Sequence, residues 1–388
     1  MASQSVLMGV IALLHGVYSG NKVDDSLHCD TIDALRKLLT RNDFIYVADS
    51  KLSSNENLAY INEGGGMFVT VYPAQRKETK VFFEQLRRGA AVKWQTLSVK
   101  ENESHAQRRT ERYWFCSHSE QKTNHGYRLL WVRSSHKKEV DRLYRESAMH
   151  KTIKKLDALK LNRGKLTTRV QISKAINAIM AKHKTKRFVT VEILHRFDTL
   201  PLQRKRRIKR SDEPSHKHHK CLYYLKITEN KDAIEAEEKV DGVFPLVTNL
   251  SANYDIGEVL EIYKYQPYVE KKFALLKSEL CVAPIFLKKP NRVAAMLHIY
   301  FIAIVCASLI ERSIRMAMKQ SNIEQVELLP EQRFTKNPTC PRVLEAFSDL
   351  CVHEVEYPTQ DTIVFPMTLT ERQKSLLKLL EIPESTYS

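Results

Sequence analysis

The run Phe44-Ile-Tyr-Val-Ala48 ends directly on Asp49, a helical segment follows from Ser53 or Ser54 to Ile61, and after Gly64-Gly65-Gly66 the run Met67-Phe-Val-Thr-Val-Tyr72 leads into Pro73. Short unbroken aliphatic and aromatic runs favour strands, serine caps a helix by accepting a backbone N–H, and glycine ends one. Strand, helix and strand in immediate succession belong to an α/β layer. Asp49 would then emerge from the carboxyl end of its strand.

Upstream, Val6 to Leu14 reads as a buried strand; no Lys or Arg precedes it, which argues against a signal peptide. After the turn Ser19-Gly20-Asn21, Asp25 can cap a helix with Leu27, Ile32, Leu35, Leu38 and Leu39 on its apolar face. From Ala74 to about Val240 the chain turns rich in Lys, Arg and His. Within that stretch Tyr113-Trp-Phe-Cys and Tyr127-Arg-Leu-Leu-Trp-Val look like paired strands, Ser135 to Leu161 looks helical, and the runs from Phe188 and Cys221 look like two further strands. The chain returns through a strand at Asp241 to Asn249. A helix beginning near Ile256 carries Tyr263, Glu270 and Lys277, with Pro267 bending it or moving its start. The apolar stretch Val293 to Ile310 approaches membrane-spanning length but carries His298 and sits in a soluble pattern, so a core helix is expected. The expected organisation is a core in two parts, residues 1–73 and 241–320, a basic insertion domain at 74–240 and a helical region at 321–388.

The 388 residues suffice for a sizeable core, and their net charge of +17 points to a polyanionic partner, nucleic acid before a membrane surface. Seven cysteines without a CxxC pair indicate neither a disulfide framework nor a zinc ribbon. No Walker loop or GxSxG motif occurs, and Gly64 to Gly66 lack the spacing of a dinucleotide loop.

Two features could carry chemistry. Glu270 lies seven residues after Tyr263 and seven before Lys277, about two helical turns each way, so all three share a helix face. A carboxylate between an aromatic hydroxyl and a cation suits a metal-dependent phosphodiester site, and Asp49 could join Glu270 in holding divalent cations. The same residues also fit a solvated amphipathic helix and an unrelated surface acid. The run Arg204-Lys205-Arg206-Arg207-Ile-Lys-Arg210, followed by His216 to His219, could track a DNA backbone or form a solvated charged loop. Cys116, His118 and His125 suit structural roles better than zinc ligation.

Tyr263, Gln266, Glu270 and Lys277, with two, three and six residues between them, resemble the Tyr-Arg-Glu-Lys signature of insertion-sequence transposases with a DDE triad. The segment from Asp43 through Met67-Phe-Val-Thr-Val resembles the second-aspartate strand of that family, and Asp241 to Asn249 and Pro330 to Pro338 resemble its flanks. The resemblance implies an α/β fold with a ribonuclease-H-like core, interrupted by a largely β insertion domain. It implies catalytic, metal-binding Asp49 and Glu270, two Mg²⁺ ions, and DNA contacts from Tyr263, Gln266 and Lys277, to which the charge of Arg204, Lys205, Arg206 and Arg207 adds a second expected DNA contact. The partners implied are transposon-end and target DNA and a homodimer in a synaptic complex, without a membrane, in a prokaryotic cytoplasm at the nucleoid.

Two departures qualify the match. Gln266 stands where the signature has Arg. In the family the first aspartate lies on the first core strand, before the strand that leads into a Gly-Asn turn like Gly20-Asn21, whereas here no acidic residue occurs before Asp24. The core is therefore expected to be incomplete at its N-terminus, and the chain to be inactive alone; a catalytically dead remnant that binds transposon ends or full-length transposase is the alternative. Val6 to Leu14, deprived of a neighbour, would be an unpaired edge.

Overall fold

A computed structural model of the protein describes residues 11–17, 27–100, 111–116, 121–200, 218–265, 286–351, 353–357, 360–365 and 368–387. The chain is mixed α/β and divides into two compact units, one formed by Asp43–Glu261 and the other by Met1–Asn42 with Ile262–Ser388.

The Asp43–Glu261 unit is organised by a seven-stranded mixed sheet. Its first strand, β1 (Ile45–Ala48), pairs in parallel with β2 (Met67–Val71), and α2 (Asn55–Glu63) makes the crossover; α1 (Leu27–Leu39) precedes them in the other unit. Ser54 caps α2 by accepting the Asn57 N–H at 3.2 Å, as its position before the helix predicts. Gly65, at φ +74°, turns the chain out of the helix.

After α3 (Lys77–Arg87), the strands β3 (Trp94–Lys100), β4 (Glu111–Cys116), β5 (Gln121–Lys122) and β6 (Arg128–Ser134) follow. They do not build a separate sheet. With β9 (Val243–Thr248) they continue the one that begins at β1, in the order β1-β2-β9-β6-β4-β3, β5 lying on β6, and every pairing except β1 with β2 is antiparallel. The sheet thus crosses the boundary at residue 74 that composition alone suggests. Consecutive buried residues in the central strands, Phe68 and Val69, Leu129 to Val132, Leu246 and Val247, show that both faces are covered. Trp131 stacks on Phe82 of α3 with ring centroids 3.9 Å apart, and its Nε1 donates to Gln121 Oε1 at 3.1 Å. Asn249 closes the end of β9: its Oδ1 accepts the Phe68 N–H at 2.8 Å, and its Nδ2 donates to Gly66 O and Asn62 Oδ1 at 2.9 Å.

A second core in this unit joins α4 (Ser135–Asp157), α5 (Arg169–Lys182) and the hairpin of β7 (Val189–Leu200) with β8 (His218–Glu229), through Met149, Leu156, Ile172, Ile176, Met180 and Val189. The short helix α6 (Lys231–Glu238) returns the chain to β9 through Gly242, at φ +82°. A Cβ on Gly242 would lie 2.5 Å from the Ser134 carbonyl oxygen and 3.0 Å from the Lys138 backbone nitrogen. Gly242→Ala therefore combines left-handed strain with a backbone collision and should destabilise the unit by roughly 2 kcal/mol or more in urea unfolding. Gly65→Ala, which meets nothing within 4 Å, should cost less.

The other unit holds α1, the end of α7 (Ile256–Lys264), the long helix α8 (Pro290–Gln320), the hairpin β10 (Val326–Leu329) with β11 (Arg333–Thr335), α9 (Cys340–Glu345), the hairpin β12 (His353–Tyr357) with β13 (Gln360–Phe365), and α10 (Glu371–Leu379). Ile314 and Met318 of α8 pack with Val326, Leu328, Val343, Leu376 and Leu379.

The expected core helix needs correction. Only 11% of the apolar window of α8 is buried, although its mean hydropathy of 2.4 makes it the one described helix long and apolar enough to cross a membrane. Its buried residues Ile304, Ser308, Glu311, Ile314 and Met318 recur every three or four positions, so they form a single stripe. The neighbours that cover the stripe meet mainly the C-terminal half, leaving Ile299, Ile302 and Leu309 exposed.

The strand expected at Val6 to Leu14 is not seen in its described part, residues 11–14, and positions 6–10 lie outside the described residues. The chain at 11–17 meets the side of α8 instead. His15 Nε2 lies 2.6 Å from His298 Nδ1, and the His15 and Phe301 rings are 4.7 Å apart. Side-chain contact with a helix replaces the ladder that a strand would need.

Candidate functional site

Asp49 stands where the sequence places it, immediately after β1 and exposed. Its Oδ1 accepts the Lys51 N–H at 2.9 Å, capping the 3-10 turn Ser50–Ser53, and its carbonyl accepts from Leu52 N and from Thr70 Oγ1, the latter at 2.6 Å. Thr70 is fully buried on β2, so the backbone at Asp49 is fixed to the neighbouring parallel strand. The carboxylate is held by its own turn while remaining open to solvent. Carboxyl ends of parallel strands are the usual place for ligands in open α/β sheets.

Sequence reasoning passed over three further residues at this end of the sheet. Arg76 donates from Nη2 to Ser53 O at 2.6 Å, and its guanidinium lies 5.4 Å from the Tyr72 ring centroid. The Tyr72 hydroxyl reaches Glu78 Oε2 at 3.4 Å, and burial first, then the Glu78 charge, raises its pKa above the ordinary tyrosine value. The available signal was position alone, since Tyr72 and Arg76 follow directly on the second strand.

Tyr263 is half-buried on α7 in the other unit. The described helix ends at Lys264, with Pro267 three residues beyond, in keeping with the disfavouring of α conformation just before proline. Gln266, Glu270 and Lys277 lie outside the described residues, as do Arg204, Lys205, Arg206 and Arg207. Of the expected site residues the structure describes Asp49 and Tyr263, which belong to different units. Cys116 is buried in β4, and His125 lies in the β5–β6 turn with its ring 6.4 Å from that of Tyr127.

Mg²⁺ takes near-octahedral oxygen ligands, commonly one or two carboxylates with waters and substrate phosphates. Among the described residues no group of three or more His, Cys, Asp and Glu side chains could hold a metal ion. Asp49 supplies one carboxylate, with one oxygen already committed to Lys51 N–H. Of the two expected ligands the described residues hold Asp49, while Glu270 lies outside them. What the arrangement does offer is a fixed, exposed anion at a strand end. No protein-family model matches the chain, and neither a curated protein nor a solved structure matches it.

Proposed function

We propose that the chain is a DNA transposase polypeptide of the DDE type, built on a ribonuclease-H-like core and acting on DNA in a prokaryotic cytoplasm, with Mg²⁺ as its metal and a homodimeric synaptic complex as its working form. One observation carries the reading. Asp49 leaves the carboxyl end of β1 inside a parallel β-α-β unit, in a sequence that also holds Tyr263, Gln266, Glu270 and Lys277 at the signature spacing.

Charge supports DNA as the partner. Residues 135–187, which hold α4, α5 and their connection, contain sixteen Lys and Arg against four Asp and Glu. Neutralising phosphates with such cations releases counterions and drives binding. In this reading Asp49 and Glu270 contribute carboxylates to the cutting site. Arg76, Tyr263 and Lys277 contact phosphates near the cut end.

The purified chain is expected to bind duplex DNA with an affinity that drops by about 10³-fold or more between 50 and 200 mM salt. Where plasmid carrying the element's ends is nicked in Mg²⁺, the cut is expected to depend on Asp49 and Glu270. Asp49→Ala or Glu270→Ala should abolish it. Nicking that survives Asp49→Ala would overturn the role given to Asp49. Failure to bind DNA at low salt, or preference for duplex RNA, would overturn the assignment itself.

A further inference from the structure

The corner that joins α5 to β7 is held against the last turns of α4 by one buried contact. Thr152 and Thr185 are 0% and 1% exposed, and their hydroxyl oxygens lie 2.9 Å apart. Thr152 Oγ1 donates its single proton to the Ala148 carbonyl at 2.9 Å, so Thr185 is the donor between the two threonines. In the sequence Thr152 stands beside Lys151 and one turn's reach from Lys155, while Thr185 stands between Lys184 and Lys186. The bond therefore brings two lysine-bearing turns together, and Lys182 ends α5 just before the corner.

All five lysines are exposed, and none has an acidic partner among the described residues, whereas Arg187 is held by Glu237 at 2.9 Å. From Lys151 to Arg187 the sequence carries twelve Lys and Arg against a single acid, Asp157. Like charges one helical turn apart, as Lys151 and Lys155 are, weaken a helix. Burial first, then the charges of Lys155, Lys182 and Lys151, lower the pKa of the His183 imidazole below its ordinary value.

The backbone of the corner carries a second cost. The Thr185 N–H bonds to Met180 O at 3.0 Å and the Lys184 N–H to Ala181 O at 3.1 Å, the pair of bonds that closes a helix on a left-handed residue. That residue is Lys184, at φ +57°, where glycine is the usual occupant because a Cβ is disfavoured. A lysine in glycine's place, among four other unpaired lysines, opposes stability twice. Strain of this kind gathers at functional sites.

Between Lys151 and Lys186 the one large apolar side chain that is exposed is Val170, at the opposite end of α5. The corner thus suits a hydrated polyphosphate better than a lipid surface, where apolar side chains insert beside the cations. We propose that this corner docks the phosphate backbone of duplex DNA, with Lys151, Lys155, Lys182, Lys184 and Lys186 meeting successive phosphates. The inference rests on DNA being the partner of the chain and adds where the duplex lies. Phosphate contacts fix position and orientation without reading sequence, so the corner orients the duplex and does not select the element's ends.

Fluorescence anisotropy of a labelled duplex with the full chain, between about 50 and 200 mM salt, tests the surface. Lys151→Gln with Lys155→Gln and Lys184→Gln should make the plot of log affinity against log salt shallower by about 2.7, at about 0.9 per phosphate contact, and weaken binding about tenfold or more. Removing three exposed charges from the other unit, by Lys288→Gln with Lys289→Gln and Lys319→Gln, should change the slope less. Lys184→Gly should raise the urea midpoint by relieving the left-handed strain, yet weaken DNA binding. Equal slopes for the two triple variants would overturn the proposal and leave DNA as the partner, as would a lowered midpoint or undiminished DNA affinity in Lys184→Gly. Binding to anionic lipid vesicles that the first triple variant loses, with its duplex binding unchanged, would overturn it in favour of a membrane surface. Absence of duplex binding at low salt overturns the DNA assignment itself.

Discussion

Asp241→Ala should destabilise the sheet-bearing unit by about 3–5 kcal/mol, the cost of leaving a buried charge without its partner. Arg145 and Asp241 come from positions 96 residues apart, and their side chains are only 6% and 4% exposed. Without Asp241 the Arg145 guanidinium keeps only Glu238, at 3.8 Å on a half-exposed side chain, which cannot replace a bond of 2.7 Å in a dry site. Arg145→Met should cost a similar amount, because it strands the carboxylate, whose Oδ2 already lacks a partner. The double variant Arg145→Met with Asp241→Ala should recover a large part of the loss, since removing both charges together removes the desolvation problem. Urea unfolding of the three variants decides this through the midpoint at constant slope. A near-neutral Asp241→Ala would mean that the guanidinium reaches water in solution.

Trp131→Ala should cost about 3–5 kcal/mol in the same unit, within the range for truncating a buried aromatic residue. Its ring is 1% exposed, stacked on Phe82, and lies at the middle of β6, where it faces Pro245 in the neighbouring strand. Pro245 has no N–H to give, but its carbonyl accepts from Tyr72 N at 2.9 Å, so the missing donor lies on the β2 side and the ladder between β6 and β9 is kept. Truncation also strands Gln121 Oε1, the acceptor of the indole N–H. Trp131→Phe should cost less, because it keeps most of the stacked surface and loses only the hydrogen bond and part of the ring. Comparison of the two by unfolding midpoint and near-ultraviolet circular dichroism separates packing from hydrogen bonding.

The elements that announce themselves locally were legible in the sequence. Phe44 to Ala48, the Ser54 cap, the glycine stop and Met67 to Tyr72 each follow from near-neighbour rules, and together they fixed where Asp49 would stand. Pairing between distant strands was not legible. Strand β6 lies beside β9 because Arg128 to Arg133 match Thr248 to Val243 across more than a hundred residues, and a change in composition at Ala74 carries no information about that match. The exposure of α8 was hidden for a related reason: apolar composition says that a helix seeks cover, and only packing says how much of it is covered. Likewise the orphaned oxygen of Asp241 depends on the distant Arg145 taking one oxygen and not the other.

The hairpin of β7 and β8 sets a length scale. Its twelve residue pairs, from Val189 with Glu229 to Leu200 with His218, extend about 40 Å at 3.4 Å per residue. Side chains as far as Ile193 pack into the helical core at its root, whereas His195, Arg196 and Phe197 are exposed. Leu200 and His218 thus stand at the outer end of a projecting arm, and the run Arg204 to Arg210 joins them in the sequence. An arm of that length spans slightly more than one turn of duplex DNA, about 34 Å. Shortening it by two residue pairs would draw its tip back by about 7 Å while leaving the basic residues unchanged, so reach and charge can be varied separately.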